Sequence, residues 1–368
     1  MNVLEGVIEI VRVNARRMCG RPRAVPKRLV LQVTNLCNSR CTTCHIWKLY
    51  RHDPAGLQKE LSADEWIQVA SHAIRSGVRQ IEVTGGEPFL KEGATELLKV
   101  LVSRLDSVSI VTNALRPEAV ARDVETILRF ARPGGQFTVS VSLDGLGASH
   151  DKIRGVIGSF DKAVDLLKRL NALSVQIPQL RHQISFTLSS ANASQLSETV
   201  DYVMNEGLIP SIDKFCFRCA QSSARYHCTN ALGEKSEILD ALQAMRRRYK
   251  LALSRLYISG IMAHLAAPQR LPVPCYGLFA SCWVGPYGNV TPCLSMTDSV
   301  IGNVRSSDYD ILPAWRSPRA AELRKTIARG KCPVCWTDCQ AYESLYYSCL
   351  RRPLWSARVV AQKLLGRS

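Results

Sequence analysis

Between Arg28 and about Cys216, short apolar runs alternate with longer stretches whose apolar residues recur every three or four positions. The short runs, at 29–33, 80–84, 108–112, 137–143, 183–188 and 211–215, have the length and β-branched content of buried strands. The longer stretches predict helices. In the first, the capping box Ser62-Ala63-Asp64-Glu65 precedes Trp66, Val69, Ala70, Ala73 and Ile74, which share one face, and Gly77 marks the end. Further helices are expected at 94–103, 118–131, 159–173 and 194–206. Six successive β/α units imply a parallel sheet with right-handed crossovers. Six is fewer than the eight of a closed barrel, so the fold class expected is α/β, a partial (β/α)6 TIM-type barrel. Its working loops should follow the C-terminal ends of the strands.

After Cys216 the pattern changes. Residues 232–251 read as a helix that is strongly basic at Arg246, Arg247 and Arg248, and Pro268, Pro272 and Pro274 mark a boundary. Beyond it the chain is rich in Cys, Gly and Pro and poor in periodic elements, which suits a small cysteine-rich domain stapled by metal. Four parts are therefore expected: an N-terminal amphipathic helix (1–27), the barrel with its connecting helix (28–266), the metal-stapled domain (267–345) and a basic amphipathic tail (346–368).

Composition narrows the chemistry. Of fourteen cysteines all but Cys19 fall in clusters: three from Cys37 to Cys44, three from Cys216 to Cys228 and seven from Cys275 to Cys349. In a reducing compartment such clustering reads as metal ligation. No apolar run is long enough to span a bilayer, and Glu5, Glu9 and Arg12 interrupt the N-terminal apolar positions as no secretory signal does. A cytoplasmic protein is expected. Its net charge of +17 calls for an acidic partner. Basic patches without aromatic interleaving do not suggest a nucleic-acid reader. Val3, Leu4, Val7, Ile8 and Val11 near Arg12, Arg16 and Arg17, and Leu354, Trp355, Val359 and Val360 among Arg351, Arg352, Arg358 and Lys363, fit peripheral contact with the inner face of an anionic membrane. Packing on the domain itself explains them equally.

Cys37-Asn-Ser-Arg-Cys41-Thr-Thr-Cys44 directly follows the first predicted strand, on the expected catalytic rim. Three thiolates on one loop can bind three irons of a [4Fe-4S] cubane and leave the fourth open to chelate a ligand. A zinc site completed by His45 is the alternative reading of the same residues. The arrangement resembles the radical S-adenosylmethionine (SAM) superfamily. Thr84-Gly85-Gly86-Glu87-Pro88, ending the second strand, resembles the loop that faces the SAM amino group, so Gly85, Gly86, Glu87 and Pro88 are implied cofactor contacts. By the same resemblance, Asn113 ends the third strand, while Ser142 and Arg154 follow the fourth and face the SAM ribose and carboxylate. Many relatives carry an aromatic residue where this chain has Thr43, so His45 or Trp47 is expected to pack against adenine instead.

Cys275-x12-Gly288-x4-Cys293 and Cys332-x2-Cys335-x3-Cys339 resemble the SPASM and twitch domains appended to many of these enzymes. The resemblance implies one auxiliary [4Fe-4S] cluster held by Cys275, Cys293, Cys335 and Cys339, with Cys282 and Cys332 as further candidates; a zinc ribbon is the alternative. Cys216 and Cys219, after the sixth predicted strand, are candidate hydrogen-atom donors to a substrate radical, or simply buried thiols. The implied activity is reductive cleavage of SAM to a 5′-deoxyadenosyl radical that abstracts substrate hydrogen, in an oxidoreductase, epimerase or bond-forming enzyme. The implied electron donor is an acidic flavodoxin or ferredoxin. About 28 residues precede strand one, fewer than the roughly 40 that a folded leader-peptide domain needs. A small-molecule, sugar or lipid-linked substrate is therefore expected, with a ribosomal peptide as the alternative. A reading from another class is a zinc-stabilised, non-catalytic metal- or nucleic-acid-binding protein.

Overall fold

The computed structural model describes residues 3–220 and 235–349. The basic tail beyond 349 and Cys228 lie outside the described residues. Six parallel strands, β1 (Arg28–Gln32), β2 (Gln80–Thr84), β3 (Ser107–Thr112), β4 (Gln136–Ser142), β5 (Leu180–Leu188) and β6 (Phe215–Cys219), lie in sequential order in one sheet. The helices are α1 (Val3–Met18), α2 (Leu49–His52), α3 (Ala63–Ser76), α4 (Ala94–Arg104), α5 (Pro117–Leu128), α6 (Gly147–Arg154), α7 (Ser159–Gln176), α8 (Leu196–Asn205), α9 (Lys235–Arg248), α10 (Ala252–Ala266), α11 (Leu312–Arg316), α12 (Pro318–Ala328) and α13 (Asp338–Tyr347). This is the partial barrel the periodicity predicts, with a cysteine-rich C-terminal region.

Local chemistry sets the element ends. The Ser62 side chain accepts the Glu65 amide while Glu65 reaches back to the Ser62 amide, and Gly77 closes α3 in the left-handed conformation at φ 103°. Trp66, Val69, Ala70 and Ala73 then bury one face of α3 on the sheet. Fully burying the Val69 side chain contributes about 1.5–3 kcal/mol.

Two expectations need correcting. The sixth strand is Phe215–Cys219, not 211–215: Ile212–Lys214 forms a short 3-10 turn, and the alternation that pairs with β5 starts at Phe215. Cys216 and Cys219 therefore lie in the strand itself. The C-terminal region also has more helix than its composition suggests, since α12 and α13 run for 11 and 10 residues. α10, which the sequence left unread, is apolar on nearly all sides and shows no clean helical period.

The sheet does not stop at the expected domain boundary. β7 (Ser281–Val284) pairs in parallel with β1, Arg28 opposite Ser281 and Leu31 opposite Val284. The antiparallel β8 (Asn289–Thr291) and β9 (Gly302–Asn303) then complete a nine-stranded sheet in the order β6-β5-β4-β3-β2-β1-β7-β8-β9.

Candidate active site

The loop after β1 is held from two sides. Toward β2, the Gly86 amide donates to the Thr34 carbonyl at 2.8 Å and the Glu87 amide to that of Leu36 at 2.8 Å. Toward α6, the amides of Arg40 and Thr42 donate to the carbonyls of Arg154 and Ile153, each at 2.9 Å. Gly155, at φ +65°, leaves no room for a Cβ beside the Arg40 carbonyl. Residues 36–44 are thus pinned between the ends of two elements far apart in sequence.

The loop presents Cys37, Cys41 and Cys44 to one cleft. Ser39 Oγ lies 3.1 Å from Cys41 Sγ, Arg154 Nη1 donates to the same sulfur at 3.4 Å, and Asn113 Nδ2 approaches Cys37 Sγ at 3.8 Å. Donors aimed at sulfur stabilise thiolates, the form that binds iron. Burial pushes the Cys37 thiol up to about 12, so a bound cation must supply the drive for its deprotonation. Among the described residues, no three His, Cys, Asp or Glu side chains converge closely enough to hold a single metal ion. A cubane takes one thiolate per iron and asks for wider spacing. The donor set on this loop, three cysteines with N–H and O–H groups directed at sulfur, fits such a cluster.

Gly85 and Gly86 line the same cleft beside Asn113, Ser142 and Arg154. Glu87 and Pro88 are buried behind it. The Glu87 carboxylate accepts the Asn113 amide at 2.7 Å, the Phe89 amide at 3.1 Å and Thr112 Oγ1, which fixes the β3 end rather than reaching the cavity. Burial outweighs these donors and raises its pKa to about 7. Arg154 pairs with buried Asp144, Nε to Oδ2 at 2.9 Å, and burial is overcome there by the Asp144 charge and the Cys41 sulfur, so its pKa rises.

Asp144 is itself oriented from behind. Its amide donates to His150 Nδ1 at 3.0 Å and its Oδ1 accepts the Thr187 amide at 2.6 Å. His150 must then carry its proton on Nε2, and burial lowers its pKa from 6.5 to about 4. A histidine held neutral in the fold contributes stability above pH 6.5 that is lost as pH falls toward 4. The stability difference between wild type and His150→Gln should therefore shrink by about 1 kcal/mol between pH 7.5 and 5.5. Denaturant midpoints at the two pH values measure it, and a pH-independent difference would contradict the assignment.

The far wall of the cleft holds residues the sequence did not single out. Glu82, Ser185, Thr187 and Arg218 come from the strands, while Trp283 and Leu294 come from the C-terminal region; Cys339, a predicted auxiliary ligand, lines the same wall. Arg218 on β6 pairs with Asp338 at the start of α13 at 2.8 Å, joining the barrel to the cysteine-rich C-terminal region. The strand alternation Cys216/Arg218 was the available signal, hidden by the misplaced strand. Cys219 lines the cleft; Cys216 does not, and lies instead near Asp338. Trp47 also lines the cleft, its indole donating to the Cys41 carbonyl at 3.4 Å, with Arg51 4.8 Å from its ring centre.

In the C-terminal region Cys335 lies within electrostatic reach of Cys275, Cys293 and Cys332, and Cys293 within reach of Cys275 and Cys339. Cys282 stands apart, beside Arg324 and Glu343. Burial pushes the thiols of Cys275 and Cys339 up to about 12.

The Radical SAM superfamily profile matches residues 31–200, and the SPASM profile, an iron-sulfur cluster-binding domain, matches 275–340. The chain carries a radical SAM domain followed by a SPASM domain. It is similar to the sporulation killing factor maturation protein SkfB of Bacillus subtilis, 29% identical over 61% of this chain and 50% of that protein, so the match spans half of SkfB. It is also similar to the pre-heme d1 synthase of Dinoroseobacter shibae, 24% identical over 85% of this chain and 80% of that one. Streptococcus suis SuiB shares the fold with a TM-score of 0.60 at 17% identity, over 93% of this chain and 78% of SuiB. SuiB bound to its precursor peptide SuiA superposes with a TM-score of 0.57. The radical SAM and SPASM profiles cover the two cysteine clusters, Cys37–Cys44 and Cys275–Cys339, that the sequence assigns to iron.

Proposed function

We propose that this radical SAM enzyme modifies a peptide, with Cys37, Cys41 and Cys44 holding the SAM-binding [4Fe-4S] cluster and Cys275, Cys293, Cys335 and Cys339 holding an auxiliary one. Cys332 lies within reach as a substitute ligand. When bound, the reduced cluster and SAM together supply the 5′-deoxyadenosyl radical. The protein's own contribution is positional. Gly85 and Gly86 let the β2 loop approach closely, Arg154 offers a guanidinium for a carboxylate, and Trp47 offers a ring face for adenine.

One observation carries the peptide reading. β6 ends the sheet: β5 pairs with one side, and among the described residues no strand pairs with the other, while Arg218, Cys219 and Ala220 at its end line the cleft. An edge strand beside a reaction cavity offers main-chain groups to an extended peptide by strand addition, although its Phe215 carbonyl is already taken by the Tyr249 hydroxyl. The similarity to SkfB, whose name is that of a maturation protein, supports the same reading. A small-molecule or lipid-linked substrate, expected from the sequence, has less support, although the similarity to pre-heme d1 synthase favours a small molecule.

Deuterium transfer tests the class. Cells grown in deuterated medium yield peptide, lipid and small-metabolite fractions, each offered to the anaerobic enzyme with SAM and dithionite. Deuterated 5′-deoxyadenosine should form with the peptide fraction and vanish after protease treatment. Label from the lipid or metabolite fraction alone would overturn the peptide reading. To Cys219, which lines the cleft, we assign the closing step: burial pushes its thiol up to about 12, so it keeps the S–H whose hydrogen atom a substrate carbon radical takes, leaving a thiyl radical for the reductant. Deuterium wash-in from solvent at that carbon, absent in Cys219→Ala, tests the role.

A further inference from the structure

Outside the cleft, Glu60 buries its entire side chain. A carboxylate is kept away from water only where other donors replace the water. Here Oε1 accepts the Asn35 amide at 2.6 Å, Thr34 Oγ1 at 3.1 Å and the Tyr50 hydroxyl at 2.5 Å, and Oε2 faces Lys91 Nζ at 3.3 Å. These donors belong to different parts of the site. Thr34 and Asn35 are the root of the cluster loop, Tyr50 follows its third cysteine, and Lys91 follows the Gly-Gly-Glu-Pro loop.

The same segment is gripped on its other side by the SPASM domain. The Leu61 amide donates to the Pro286 carbonyl at 2.7 Å, and Tyr50 and Tyr287 hydroxyls meet at 3.1 Å. Arg305 donates to the carbonyls of Lys59 at 2.9 Å and Glu60 at 3.2 Å, and forks onto Glu65 at 2.6 and 2.9 Å. Residues 50–65 therefore form a strap with the cluster loop on one face and the β7–β8 turn and Arg305 on the other.

We propose that Glu60 is a positioning residue for the cluster loop, and that it ties the loop's geometry to the seating of the SPASM domain. Only Leu36 separates Asn35 from Cys37, so what shifts one shifts the other. The Thr34 carbonyl also accepts the Gly86 amide, so the displacement reaches the Gly-Gly-Glu-Pro loop, which on the proposed reading faces SAM. The route is a chain of hydrogen bonds, with no step that needs the auxiliary cluster to pass electrons.

The test uses the reconstituted full-length enzyme, without substrate. SAM affinity is measured by calorimetry and the reduced cluster by EPR before and after SAM. Glu60→Ala should bind SAM about tenfold or more weakly and alter the SAM-induced EPR change. Glu60→Gln, which keeps an acceptor for Asn35, should recover most of both. Arg305→Ala lies at a partly exposed position more than 200 residues away in sequence. It should weaken SAM binding roughly 2- to 30-fold with an EPR change of the same kind. If Glu60→Ala fails to fold, Arg305→Ala decides alone. Wild-type SAM affinity and EPR in Arg305→Ala would overturn the coupling. Glu60→Gln as impaired as Glu60→Ala would overturn the acceptor role.

Discussion

Gly86→Ala should abolish measurable SAM binding while a second glycine variant, Gly134→Ala, leaves it unchanged. A Cβ built on Gly86 stands 2.6 Å from the Leu36 carbonyl carbon and 2.7 Å from the Asn35 carbonyl oxygen, and closer still to the Leu36 oxygen. All three are main-chain atoms of the cluster loop, so no side chain can swing aside to make room. Either the β2 loop or the cluster loop must retreat. A displacement of about 1 Å in a reacting constellation costs on the order of 10²-fold in rate. Overpacking costs about 1–3 kcal/mol of stability besides. Gly134 has a positive φ of 74° but nothing within 4 Å, so its alanine variant carries only backbone strain of about 1–2 kcal/mol. Calorimetric SAM titration of both proteins checks the contrast. Wild-type affinity in Gly86→Ala would show that the two loops are not interlocked as described.

Cys41→Ala should reduce 5′-deoxyadenosine formation to the level of an enzyme-free control, with iron content falling by one cluster's share. Cys41 is buried between Ser39 and Arg154, and its sulfur is one of the two that balance the Arg154 charge. Its loss removes a cluster ligand and leaves a buried guanidinium with Asp144 as its principal counter-charge, which is costly in a low-dielectric site. Cys19→Ala, at an exposed cysteine outside both cysteine motifs, is the matched control and should retain both iron and activity. Cys335→Ala divides the remaining possibilities. If it lowers iron but spares SAM cleavage, the auxiliary site lies off the path by which the first electron arrives. Full iron retention in Cys41→Ala would contradict ligation by this loop.

Much of this was legible in the sequence because local rules and global fold agree along the barrel. The capping box at Ser62 and the left-handed Gly77 set α3 within the chain's first half, and Gln80–Thr84 emerges as a strand with the bounds its pattern predicts. Cys37, Cys41 and Cys44, Gly85 and Gly86 follow strand ends, where a parallel barrel places its working loops. What the sequence hid is long-range. Nothing local distinguishes Glu60 from any acidic residue ahead of a helix; its four donors come from three separate segments. The Arg218–Asp338 pair joins residues 120 positions apart by number. Cys282 was indistinguishable from its neighbours by spacing, and strand pairing with β1 turns it toward Arg324 instead. Glu87 sits in a motif loop yet spends its carboxylate on β3, a choice set by burial.

The pairing of β7 with β1 has a practical side for anyone recombining these enzymes. A protein cut before Cys275 would not be a barrel minus an accessory. It would bare the main-chain N–H and C=O groups of β1 along the register from Arg28 to Leu31, beside apolar residues that are now buried. Such a template invites self-association. Grafting works only if the crossover point carries β7 along with β1, so that the exchanged unit is a seam of hydrogen bonds rather than a stretch of sequence.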